Sequence, residues 1–77
     1  MRNRGERLRS AFVELLVAEM AKQQISDREL SERLEKNKNF INDIRHGQHV
    51  VKFHEFVEIA EELGKSPLDW LSRCLHA

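Results

Sequence analysis

The chain has 77 residues, enough for one small domain with a thin core and no room for a large substrate pocket. Hydrophobic residues make up 40% and charged residues 34%, with three Gly, one Pro and no Tyr, which favours solvated helices over a turn-rich β fold. The single cysteine, Cys74, excludes an intramolecular disulfide, and the formal net charge of zero conceals basic and acidic blocks that alternate along the chain.

The first block, residues 1–9, sets Arg2, Arg4, Arg7 and Arg9 against Glu6. It is expected to be a basic N-terminal arm ahead of a single domain over residues 10–77. Such an arm tracks phosphates or enters a minor groove, or simply solubilises the terminus. The apolar stretch that follows is interrupted by Glu14 and Glu19, so neither a signal peptide nor a membrane span is expected, and the expected location is cytoplasmic. Leu8, Phe12, Leu15, Leu16 and Met20 keep helical spacing and predict a first helix from about Leu8 to Gln23.

Ser26-Asp27-Arg28-Glu29 has the spacing of a capping box, with Ser26 and Glu29 each accepting the other's backbone N–H. A short second helix should run to about Leu34. Glu35-Lys36-Asn37 is a three-residue turn, and Asn37 suits the N-cap of a third helix over about Lys38–His46, stopped by Gly47. That helix lies in the second basic block, which holds Lys36, Lys38, Arg45 and Lys52 against Asp43.

Residues 48–52 read as a loop. A fourth helix follows from about Phe53 to Leu63, with Phe53, Phe56, Val57, Ala60 and Leu63 apolar and Gly64 as its stop. Glu55, Glu58, Glu61 and Glu62 read as its solvated acidic face. Ser66 as N-cap and Pro67 at the first helical position open a fifth helix. There Leu68 and Leu71 are expected in the core. Trp70, Cys74 and Leu75 would then form an outward stripe suited to a dimer interface. The plainer alternative folds Trp70 back onto the first helix. The expected fold is all-α, with five short helices.

Two short helices joined by a tight turn, the second ended by Gly, make a helix-turn-helix pattern. A major groove about 12 Å wide admits one helix, which needs polar side chains on one side and an apolar face on the other. Phe40, Ile41 and Ile44 supply the apolar face, leaving Lys38, Asn39, Asn42 and Asp43 outward. Lys donates to guanine, Asn pairs with adenine and Asp accepts from cytosine. Asn37, Arg45, His46 and Gln48, with Arg28 from the second helix, are candidates for phosphate.

The stretch from Ile25 to Leu71 resembles the Xre, or lambda-repressor-like (Cro-type), helix-turn-helix family. The resemblance rests on ISDRELSERL from Ile25, NKNFINDIRHG from Asn37, FHEFVEIAEELG from Phe53 and SPLDWL from Ser66. It implies a compact five-helix domain that docks its third helix in the major groove and binds near-palindromic sites as a dimer. It also matches Lys38, Asn39, Asn42 and Asp43 to base-reading positions, and Asn37, Arg45, His46 and Gln48 to positions that touch phosphate. The chain departs from the family at Asp27, where Gln is usual, and at Met20, where a basic residue is frequent. Asp27 would repel a phosphate, and Asp43 puts negative charge on the reading face.

These features predict sequence-specific binding of double-stranded DNA by a small homodimeric transcriptional regulator, read as a repressor. The alternative is a helical protein–protein interaction module, antitoxin-like or regulator-binding, with weakened DNA affinity. No enzyme activity, metal or cofactor is expected. His46, His49 and His54 lack the ligand spacing of a zinc site, and Cys74 with His76 has no third group to orient a nucleophile.

Overall fold

The computed structural model describes residues 3–77, so the expectation for Arg2 falls outside the described residues. Five helices follow one another: α1 (Arg4–Gln23), α2 (Asp27–Arg33), α3 (Phe40–Arg45), α4 (Phe53–Glu62) and α5 (Pro67–Leu75). Among the described residues there is no strand. α1 packs on α5 and α3, α2 on α3, and α4 on α5.

The basic segment is not an arm. Asn3 caps α1, its Oδ1 accepting the Glu6 N–H at 2.7 Å, and Glu6 favours the positive end of the helix. Arg4, Arg7 and Arg9 therefore ride on the first turns of α1, all exposed.

Four helices end in the same way, with two backbone N–H groups folding back on the last turn around one left-handed residue. Gly47 (φ 76°) and Gly64 (φ 74°) occupy that position after α3 and α4, as their places in the sequence suggested. Gln24 and Glu35, both at φ 59°, occupy it after α1 and α2. After α2, for example, Glu35 N–H reaches the Glu32 carbonyl and Lys36 N–H the Ser31 carbonyl, each at 2.9 Å.

The core lies where α1 crosses α3 and α5. Phe12, Leu16 and Met20 of α1 meet Leu30, Ile41, Ile44, Ile59, Ala60 and Leu63. Trp70 and Cys74 join them, and this reverses the expected register of α5. Trp70 is 2% exposed and packs edge-on against Phe12, with ring centroids 6.0 Å apart; Phe56 meets Phe12 from the other side at 5.2 Å. Leu68 and Leu71 face outward instead. Both stripes of α5 have helical spacing. The indole has the larger apolar area, and Phe12 offers it an edge-to-face partner, so burying Trp70 gains more. Trp70 and Cys74 are thus core residues and not a dimer interface, whereas Leu75 is exposed as expected.

Candidate nucleic-acid interface

α3 is shorter than the sequence suggested, because Asn37 does not cap a helix at Lys38. Its Oδ1 accepts the Asn39 N–H at 2.8 Å, and its carbonyl accepts the Phe40 N–H at 2.9 Å. This is an Asx turn, a local alternative to helix that a short amide side chain offers the backbone. Lys38 and Asn39 sit on that turn, and α3 proper begins at Phe40.

What fixes α3 from behind is a residue that sequence reading passed over. Ser31 is fully buried on α2. Its hydroxyl donates to the Asp27 carbonyl at 2.8 Å and accepts the Ile41 N–H at 3.1 Å. Ile41 is at the start of α3, where backbone donors have no partner within the helix. One hydroxyl thus ties the two helices together, while Phe40, Ile41 and Ile44 turn into the core. The signal available in the sequence was a small polar residue on the same side of α2 as Leu30, the side that meets α3.

With α3 held this way, the four base-reading candidates share its outer side. Lys38, Asn39 and Asn42 are exposed and Asp43 is half-buried. Among the described residues none of their side chains is engaged in a hydrogen bond or ion pair. Lys donors, amide groups and a carboxylate acceptor are therefore free on one short surface.

The flanking candidates are placed less uniformly. Arg45 is not free: its Nη1 lies 2.8 and 3.0 Å from the two carboxylate oxygens of Asp27. Asp27 in turn is not the unpaired anion it was expected to be. The pair joins the start of α2 to the end of α3 and neutralises both charges. The His46 ring folds back so that Nδ1 donates to the Asn42 carbonyl at 2.8 Å. Gln48 is exposed. Arg28 reaches Glu32 one turn on, at 3.3 Å. The expected reach of Glu29 to Ser26 is replaced by an ion pair with Arg33 at 2.6 Å, so only Ser26 performs its half of the capping box.

Tertiary packing also brings Arg9 to this end of α3. Its Nη1 lies against Gly47, 3.2 Å from where a Cβ would stand. A cation here complements the negative end of a helix and puts a guanidinium beside His46 and Gln48.

The loop after α3 is anchored by Glu55, which is buried and not part of a solvated acidic face. One of its oxygens, Oε1, accepts the Lys52 N–H and the His49 Nε2–H, each at 2.9 Å. Burial works to raise this carboxyl, but the Lys52 N–H, then His49, outweigh it and hold it below the usual carboxylate range. His49 also stacks edge-on against Phe40, with ring centroids 5.2 Å apart, so the loop is fastened to α3 as well as α4. The clue was spacing: Glu55 stands three residues after Lys52, as the acidic member of a capping box does.

Among the described residues no three His, Cys, Asp or Glu side chains come together as a metal site. Burial pushes the Cys74 thiol up, away from the low value of an activated nucleophile. No helix of the described residues is long and apolar enough to cross a membrane.

No family model and no curated protein matches the chain. Among solved structures it is similar to the clp gene regulator ClgR from Corynebacterium glutamicum. The TM-score is 0.76 at 23% identity, covering 90% of this chain and 73% of that one. At this identity the likeness establishes the five-helix fold, including the α2–turn–α3 pair.

Proposed function

We propose that the chain binds double-stranded DNA sequence-specifically as a small homodimeric repressor of transcription. The observation that carries this reading is the outer side of α3, where Lys38, Asn39, Asn42 and Asp43 stand unengaged on a helix fixed from behind by Ser31 and the core. Unspent donors and acceptors on a rigid helix are what reading base edges requires, because a misplaced side chain loses its hydrogen bond. The gene regulator that shares the fold supports the same direction.

In this reading α3 enters the major groove, and Arg9, Asn37, Arg28, His46 and Gln48 approach the flanking phosphates. Arg45 stays on Asp27 and adds little charge to the phosphate contacts. Two copies on a near-palindromic operator would set two α3 helices about one helical turn, ~34 Å, apart. Repression follows from occupancy, since the chain described carries little beyond the DNA-binding fold. A cytoplasmic location belongs to this reading.

A second reading, a protein-interaction module with residual DNA affinity, draws on the Asp27–Arg45 pair, which withdraws one cation from the interface. Selection of bound sites from random duplexes, with the winner's affinity measured at two salt concentrations, separates the two. An enriched two-fold symmetric site with a steep salt slope supports the repressor reading. No enrichment and weak binding at low salt overturn it in favour of the module.

A further inference from the structure

The large hydrophobic side chains left exposed among the described residues are Val50 (80%), Phe53 (80%), Leu68 (76%), Leu71 (40%) and Leu75 (57%). They belong to three separate stretches of sequence, yet they adjoin one another. Val50, Phe53 and Leu71 line one groove of about 470 Å³, whose floor is Leu8, Phe12 and Phe56. Leu68, Leu71 and Leu75 follow one another at i, i+3 and i+7 and make a ridge along α5 beside that groove. Leu75 borders an adjoining hollow with Leu8 and Cys74.

We infer that this face is a homodimer interface, in which the Leu68–Leu71–Leu75 ridge of one copy seats in the Val50–Phe53–Leu8 groove of the other, and the reverse. The inference rests on the reading of the chain as a homodimeric DNA binder and names the surface that reading needs. Three observations select a second copy as the occupant.

The first is area. These five side chains present on the order of 600 Å² of apolar surface, the upper end of the largest patch on a typical monomer. That is most of the roughly 800 Å² per partner in a standard interface. The second is shape. A two-fold interface must be complementary to itself, and a ridge lying beside a groove of similar apolar character meets that condition. The third is charge. The rim of the groove carries Glu6, Arg9 and Lys52, with Arg4 and Arg7 beyond it. On α5, Asp69 and Arg73 neutralise each other at 3.1 Å, so the incoming ridge adds no uncompensated cation to a basic rim.

The placement also suits the DNA geometry. Arg9 borders the groove and touches the end of α3 at Gly47, so the interface lies beside the reading helix and leaves its outer side clear. The described chain measures 36 × 24 × 22 Å, and two such bodies side by side span the ~34 Å between successive major grooves.

The test is sedimentation equilibrium of the full chain at micromolar concentrations, on wild type, a groove variant (Val50→Glu with Phe53→Glu) and a ridge variant (Leu68→Glu with Leu75→Glu). All four positions are more than half exposed, so the fold should survive, and circular dichroism checks it. The expected result is a wild-type dimer and at least about a 30-fold weaker association in each variant, the size of a hot-spot loss. A monomeric wild type overturns the inference. So does a dimer that neither variant weakens, or one that only the ridge variant weakens. Affinity for a single half-site duplex keeps the two questions apart. Folded monomeric variants should bind a half-site as wild type does. If nothing binds DNA, the repressor reading has failed while the sedimentation result still decides the interface.

Discussion

The hydroxyl of Ser31 accepts the Ile41 N–H at 3.1 Å while donating to the Asp27 carbonyl at 2.8 Å. A fully buried side chain on α2 thereby supplies the missing partner of a backbone donor at the start of α3. Ser31→Ala leaves that donor buried and unpaired, a cost of about 1–3 kcal/mol. Urea unfolding measures it. A variant as stable as wild type would show that the contact is incidental to holding α3.

Asp27 and Arg45 predict a gain of function. Asp27→Asn removes the anion that holds Arg45 and returns a cation to the phosphate face. DNA affinity should rise at low salt, and the slope of log affinity against log salt should steepen by about one phosphate contact. In the wild-type background Arg45→Ala should change that slope little. The pair is partly exposed, so its loss should alter stability by no more than about 1 kcal/mol. Weaker binding in Asp27→Asn would mean that the carboxylate aims Arg45 at the DNA instead of withholding it.

Lys38→Ala and Asn39→Ala should each relax sequence preference by about 1–3 kcal/mol at one base pair of the selected site, with smaller effects on non-specific binding. Competition with single-base variants of the site reads this. Unchanged preference in both would remove the outer side of α3 as the reading surface.

Trp70→Ala should destabilise the fold by about 3–5 kcal/mol, a large share of the stability of a small domain. The cause is the loss of its packing on Phe12 in the core. Thermal melting measures it. A variant that melts like wild type but dissociates would restore Trp70 to the dimer interface.

Acid should weaken the loop after α3. The folded carboxyl of Glu55 lies below its usual value, so the folded state holds fewer protons than the unfolded chain. Its contribution is complete above the unfolded value of about 4.3 and is lost as pH falls through the folded one. Glu19 acts in the same sense: the hydrogen bond from Gln23 is the main cause, and Lys65 and Lys22 add to it against a burial cost. Glu55→Gln should be less stable than wild type at neutral pH and lose less on acidification. Urea midpoints from pH 6 down to about 3 test this, and equal acid losses in both proteins would contradict it.

Much of the architecture was legible because it is local. Apolar residues at helical spacing placed α1, α2 and α4, and Gly47 and Gly64 marked two helix ends because a left-handed residue suits glycine. The reading side of α3 followed once Phe40, Ile41 and Ile44 were set inward. The ends of α1 and α2 gave no such mark. Gln24 and Glu35 take the left-handed conformation without being glycine, a cost of about 1–2 kcal/mol each that the flanking packing must offset. The cap at Asn3 was passed over, and with it the helical start of the basic segment.

By itself, then, the sequence determined five amphipathic helices, where most of them stop, and which side chains of the third remain polar, since each depends on neighbours within a turn or two. Only the tertiary structure decided which stripe of α5 faces inward, because Trp70 and the Leu68–Leu71 pair are equally periodic and the choice rests on Phe12, far away in the chain. The same is true of the partners of Arg45, Ser31, Glu55 and Arg9. Charge and hydrogen bonding act through space, and a residue's count along the chain does not say what will stand beside it when the helices pack.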